Sequence, residues 1–347
     1  MTDYASYLQD LLRVAKQGHN VQMHLLKKTT SEKEEKKRQI LNVEVDGEVL
    51  ISFRENLIQK CNELISDNEL TYIDFFSEDP EDNVISVIDQ EDMKLVGTLN
   101  PIISQIKSED DSRSVTEFND HTIQNLQSYA ISMSSIDNNG ENKIEETCIY
   151  FRKYQVGSKI AKSKFFKVFE HKQGKFNKIE GDVFKYDDVI DAIYYERVDL
   201  DNPDQNGSKI MFVRNISNFE DMFSFEEFYK SNAKAAYIIL QSCGNVEIEE
   251  ALFKEITSDK RNLKKICKLN KGNFFTDIDF NRFSLIYNAA SSLDYALNVE
   301  SDGEKIKIKN KESFFEFIDI CGNKLYGDLV DEKIYRGIAK ELLKKSA

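Results

Sequence analysis

The stretch from Phe184 to Gln241 constrains the fold of this chain more than any other. It opens with Val189-Ile190-Asp191-Ala192-Ile193-Tyr194-Tyr195, crosses a polar loop and returns as Ile210-Met211-Phe212-Val213. Short β-branched and aromatic runs bounded by turn residues predict buried strands, and Pro203 with Asn206-Gly207 marks the turn between them. Two helix starts follow. Ser217-Asn218-Phe219-Glu220 and Ser224-Phe225-Glu226-Glu227 both have the capping-box form, in which the serine oxygen takes an orphan N–H and the glutamate reaches back. Behind the second, Phe225, Phe228, Tyr229, Ala236 and Ile239 recur at helical spacing and require a covered face. Two strands and a Phe-rich helical pair form the core onto which the remaining elements pack.

Outside this core the periodicity predicts a helix over 4–17, a strand from Val21 to Leu26 and a solvated loop from Thr30 to Arg38. Ile40 to Phe53 reads as a hairpin turning at Asp46-Gly47, since Asp-Gly suits a type I′ turn; Leu57, Cys61, Leu64 and Ile65 mark a helix after it. A second hairpin is expected over 164–180, turning at Gln173-Gly174, and helices over 246–256, 259–269 and 278–289. Asp302-Gly303 predicts a third hairpin, Ser313-Phe314-Phe315-Glu316 a third capping box, and Tyr335, Ile338, Leu342 and Leu343 a helix running from Asp331. The expected class is α+β, with mixed or antiparallel sheets and flanking helices. The polar segment 107–120 divides it into two domains, 1–115 and 145–347, split near 110–145.

With 23 Phe and 15 Tyr the chain has ample material for real cores. No apolar run approaches the length of a membrane span, and the first residues lack a secretory pattern, which predicts a soluble cytoplasmic protein. Five scattered cysteines (Cys61, Cys148, Cys243, Cys267, Cys321) without a C-x-x-C fit reduced structural thiols. Net charge is −14, unevenly spread: residues 1–150 carry 14 Lys/Arg against 29 Asp/Glu, and residues 151–347 carry 33 against 32. Ten acids fall between Asp67 and Asp92 with no base from 61 to 93. Such a face repels phosphate, so it is expected to bind a protein partner, with Asp74, Glu78, Asp79, Glu81 and Asp82 at its centre.

The opposite signal lies between Arg152 and Lys178, where nine Lys/Arg meet one acid, Glu170. Lys159, Lys162, Lys164, Lys167, Lys172, Lys175 and Lys178 alternate there with Phe165, Phe166, Phe169 and Phe176. Lysines on a hairpin neutralise phosphates and exposed aromatics stack on bases; the alternative is a lysine-defended edge with its phenylalanines in the core. A second basic element is the helix near 259–269, where Lys260, Lys264, Lys268 and Lys271 share a face that Arg261 and Lys265 widen. Lys333, Arg336, Lys340 and Lys344 suggest a third. Together the hairpin and the helix near 259–269 are expected to form one DNA-binding surface of about six phosphate contacts.

Catalytic motifs are lacking: there is no Walker A loop, dinucleotide fingerprint, nucleophile elbow or H-E-x-x-H. No cofactor or metal site is expected. A Mg²⁺-dependent nuclease remains the alternative, through Glu170-His171-Lys172 with Asp137 upstream, or through Asp187, Asp188, Asp191 and Glu196.

The order of hairpin, Asp191-Ala192-Ile193-Tyr194, Ile216-Ser217-Asn218-Phe219-Glu220-Asp221-Met222-Phe223, basic helix, Asp302-Gly303 hairpin and the tail from Phe317 to Lys340 resembles the KwaB-like family of the bacterial Kiwa anti-phage system, over residues 145–345. The resemblance implies a homodimeric, non-catalytic effector that binds double-stranded phage DNA and blocks its replication and transcription. It also implies docking on a membrane-spanning partner, KwaA, at the inner face of the membrane. The resemblance carries over no catalytic residue.

Overall fold

The computed structural model describes residues 4–28, 38–43, 47–67, 71–76, 84–108, 114–115, 126–137, 143–153, 169–172, 175–178, 191–202, 207–292, 297–302, 304–322, 325–328 and 333–336. They form two compact units, Met1–Phe225 and Glu226–Ala347. The first is built on a mixed sheet that has nine strands among the described residues.

The sheet's middle is an antiparallel run of β7 (Ile144–Lys153), β10 (Ala192–Asp199), β11 (Ser208–Val213) and β4 (Val84–Asp89). On the other side of β7 come β6 (Leu126–Asp137), β1 (His19–Lys28) and β2 (Arg38–Val43), all antiparallel. Parallel strands close both ends: β3 (Thr71–Asp74) beside β4, and β5 (Ser114–Val115) beside β2.

Strand alternation sends every second residue to each face. One face collects Met23, Leu25, Tyr129, Ile131, Met133, Cys148, Tyr150, Ile193, Tyr195, Ile210 and Phe212. Two helices cover it, α1 (Tyr4–Gln17) through Leu8, Leu11, Val14 and Ala15, and α2 (Gly47–Ser66) through Leu57, Cys61 and Leu64. Each leucine or valine among them contributes roughly 1.5–3 kcal/mol by leaving water. Gly18 joins α1 to β1 so closely that a Cβ would stand 2.5 Å from the Val14 carbonyl oxygen. Buried Glu146 ties helix to sheet: Arg13 donates to both its oxygens at 2.5 and 2.7 Å, and the Tyr195 hydroxyl donates at 2.6 Å.

The other face is covered by α3 (Gln90–Leu95), α4 (Leu99–Lys107) and α5 (Ile216–Met222). Phe151 meets Phe223 at 5.0 Å, and Phe75 meets Phe219 and Phe225 at 5.6 and 5.3 Å. The second unit holds α6 (Phe225–Ser242, beginning at the boundary), α7 (Glu250–Ser258), α8 (Lys260–Lys271), α9 (Phe280–Ser292) and α10 (Lys311–Cys321). They accompany a small sheet of β12 (Val246–Ile248), β14 (Ile306–Ile308) and β13 (Glu300–Ser301), and a hairpin of β15 (Leu325–Asp328) and β16 (Lys333–Arg336).

The α+β class and both central strands stand as the sequence predicts, as do the pairing across Gln173-Gly174 and the Asp302-Gly303 turn. Four expectations are corrected. Residues 47–66 are helical, so the strand preceding Asp46-Gly47 pairs backwards with β1 instead of forward across that turn; the stripe Leu57, Cys61 and Leu64 extends N-terminally to Leu50 and outweighs the turn signal. The caps of α5 and α10 are Asn215 and Asn310, not Ser217 and Ser313, because each asparagine oxygen accepts the N–H three residues on. Lys333–Arg336 is a strand paired with Leu325–Asp328, so no helix starts at Asp331; the rest of that basic stripe lies outside the described residues. Finally, a domain split at 110–145 falls inside the nine-stranded sheet. β4 from the acidic half pairs with β11, and β6 with β7, whereas the compact units divide after Phe225.

Candidate nucleic-acid interface

The basic hairpin lies within the connection between β7 and β10. These strands are hydrogen-bonded neighbours, with Ala192 opposite Phe151, so the chain leaves the sheet after Lys153 and returns at Asp191 beside its own exit. Within the connection, β8 (Phe169–Lys172) and β9 (Lys175–Lys178) pair antiparallel, and β9 touches α2. The register sets Lys172 opposite Lys175 and Phe169 opposite Lys178. Lys159, Lys162, Lys164 and Lys167 lie outside the described residues.

The ends of this connection are held by polar groups whose roles the sequence did not give, although Asp191 was named there as a candidate cation ligand. Asp191 is buried, 1% exposed. Its Oδ2 accepts the Lys153 N–H at 2.6 Å, and its Oδ1 accepts from the Asn218 side-chain amide at 2.7 Å. Its carbonyl accepts the N–H groups of Arg214 and Asn215 at 3.0 and 3.2 Å. Lys153 Nζ reaches Asp221 at 2.5 Å. The only signal in the sequence is an aspartate just before a strand and two asparagines at a helix start.

The second basic element is α8, which holds six cations and no acid in 12 residues. Asp259 caps it by accepting the N–H groups of Arg261 and Asn262, and the Arg261 N–H foremost holds its carboxyl below the ordinary range. Leu263, Ile266 and Cys267 form the buried side, where burial pushes the Cys267 thiol up to about 12. Lys260 and Arg261 are exposed, while Lys264, Lys265, Lys268 and Lys271 are half-buried. Lys264 Nζ sits 6.0 Å from the Tyr229 ring centre and Lys265 Nζ 4.6 Å from that of Phe315, so their stems pack on aromatics. The hairpin belongs to the first compact unit and α8 to the second.

The acids are more structural than their sequence suggests. Asp74, on β3, is exposed, and its Oδ1 accepts the Phe76 N–H at 2.6 Å. Asp89 caps α3, and Asp92 is buried in its first turn. Glu78, Asp79, Glu81 and Asp82 lie outside the described residues. For the nuclease alternative, Asp191 is engaged as above. Glu196 is paired with Lys107 and with Lys209 at 2.9 Å; burial pushes its carboxyl up, but the two lysines outweigh this and hold it below the ordinary value. Asp187 and Asp188 are outside the described residues, and among those described no three His, Cys, Asp or Glu side chains converge as a metal site would require. Nor, among the described residues, is any helix long and apolar enough to cross a membrane.

The chain is thus an α+β protein with the β8–β9 hairpin in one unit and the cationic helix α8 in the other. The family model described as Kiwa protein KwaB-like matches residues 141–327, more than half of the chain, and the chain belongs to that family. Membership ties it to the Kiwa anti-phage defence system. The matched span takes in β7, the basic hairpin, β10, β11 and the chain from α5 to β15. No curated protein and no solved structure matches.

Proposed function

We propose that this chain is a non-enzymatic defence effector that grips double-stranded phage DNA through its phosphates and blocks replication and transcription. The observation that carries this reading is the concentration of cations in two elements of a strongly acidic chain. The first unit has 27 Lys/Arg against 41 Asp/Glu, yet its β7–β10 connection holds the basic hairpin; the second has 20 against 20, yet α8 holds six cations and no acid. Lysine point charges read the backbone and not base edges, so sequence preference is slight. The protein acts as a homodimer, held at the inner face of the membrane by KwaA, which the acidic segment 67–92 engages.

Incubating purified protein with plasmid, with and without Mg²⁺, separates this reading from the nuclease alternative. A retarded plasmid that stays intact under both conditions is expected. Cleavage that requires Mg²⁺ would assign the chain to the nuclease class instead, and no retardation at all would remove DNA as the target.

A further inference from the structure

Helix geometry sorts the six cations of α8. At about 100° per residue, Arg261 and Lys268 fall on the middle of the cationic side, opposite the buried Leu263, Ile266 and Cys267. Lys264 and Lys265 are consecutive and therefore splay to either flank. Each flank meets an aromatic ring from a different helix of the same unit. Lys264 Nζ lies 6.0 Å from the ring centre of Tyr229 on α6, and Lys265 Nζ lies 4.6 Å from that of Phe315 on α10. Phe315 is half-buried, and Phe314 braces it edge-on at 5.4 Å; Phe314 is itself buried and packs on Phe253 at 5.8 Å. The amides of α8 are spent on its own packing. Asn262 Nδ2 donates to the Ile256 carbonyl at 3.1 Å, and Asn270 Nδ2 to the Asn232 carbonyl at 3.4 Å. What the outer side of α8 offers a ligand is chiefly positive charge.

We infer that α8 meets the phosphate backbone along the line from Arg261 to Lys268, and that Phe315 is a positioning residue. It holds Lys265 at one flank of that line, as Tyr229 holds Lys264 at the other. This inference rests on the DNA reading above and names the residues that shape that site in the second unit. Seven residues of helix rise about 10 Å, enough for a few neighbouring phosphates of one strand. A lysine loses rotamer freedom when it grips a phosphate. A ring face attracts the ammonium and restricts it beforehand, yet unlike a carboxylate it leaves the charge whole for the ligand.

The test uses full-length protein and a 20-base-pair duplex, with affinity measured across a salt series. Phe315→Leu keeps an apolar side chain and removes the ring face, whereas Phe315→Tyr keeps the face. Phe315→Leu should weaken binding roughly two- to five-fold with the salt slope unchanged, and Phe315→Tyr should bind as wild type. Lys265→Ala should weaken binding and lower the slope by about one. Adding Phe315→Leu to Lys265→Ala should cost nothing more. The ring-current shift of the Lys265 ε-methylene, read by NMR, should be lost in Phe315→Leu and kept in Phe315→Tyr.

Wild-type affinity in Phe315→Leu would overturn the positioning role. So would an equal further loss in the Lys265→Ala background, which is what a purely structural ring gives. A wild-type Lys265 methylene without a ring-current shift would remove the contact itself. Lys265→Ala with wild-type affinity and slope would show that Lys265 meets no phosphate and would overturn the inference likewise. All four results leave the DNA reading standing. Wild-type protein that leaves the duplex unbound removes that reading and this inference together.

Discussion

Glu196 shows how single residues hold this fold. It is 3% exposed on β10, and its charge is sustained by Lys107 at the end of α4 and Lys209 on β11. Its folded carboxyl lies below the ordinary value of 4.5. Its contribution to stability is therefore complete above that value and is lost as pH falls through the folded one. Lys107→Met removes the partner that lowers it most, so burial then dominates. The variant should lose about 2 kcal/mol at neutral pH and begin acid unfolding at higher pH than wild type. Urea midpoints measured from pH 3 to pH 7 check this, and an acid limb that does not move would count against the pairing. None of these contacts was legible in the sequence. Lys107 lies in the polar segment taken for a linker, and a lysine 89 residues from its glutamate leaves no local pattern. The same holds for Arg13 and Glu146, 133 residues apart.

Among elements, strong periodicity was read well and turn chemistry only in part. The helix over 4–17, the hairpin across Gln173-Gly174 and the amphipathic α8 all carry their signal within one element. Asp46-Gly47 carried a real turn preference, but it sits between a strand that β1 can pair and an apolar stripe that the sheet must cover. Tertiary demand decided the outcome. The caps repeat the lesson, since serine–glutamate spacing was present while the operative oxygens belong to asparagines two or three residues earlier. Asn215→Ala should accordingly destabilise the protein by about 1 kcal/mol and Ser217→Ala by much less. Equal losses for the two in thermal unfolding would restore the capping box read from sequence. For the candidate interface, position along the chain was legible and environment was not: α8 was found with its cations, but not the aromatic rings beneath Lys264 and Lys265.

At the scale of the molecule, charge asymmetry suggested a boundary that pairing erases. β4 comes from the acidic half, yet it completes the sheet beside β11, and β6 does the same beside β7. The pairing of β4 with β11 joins strands far apart in sequence, which a pass along the chain cannot see, whereas β6 and β7 are consecutive strands that the expected boundary cut between. A fragment of residues 145–347 would expose both edges and is expected to aggregate without a cooperative transition, whereas residues 1–225 should unfold cooperatively in circular dichroism. A soluble, cooperatively folding 145–347 fragment would support the sequence-based division. If two basic elements grip duplex DNA through its phosphates, binding must depend steeply on salt. About six neutralised phosphates give log affinity against log salt a slope of about −5. The wild-type protein should show that slope on duplexes of unrelated sequence. Replacing Lys162, Lys164 and Lys167 by glutamate, or Lys260, Lys264 and Lys268, should weaken binding uniformly and flatten it. A slope near zero, or either triple variant keeping wild-type affinity and slope, would contradict the account.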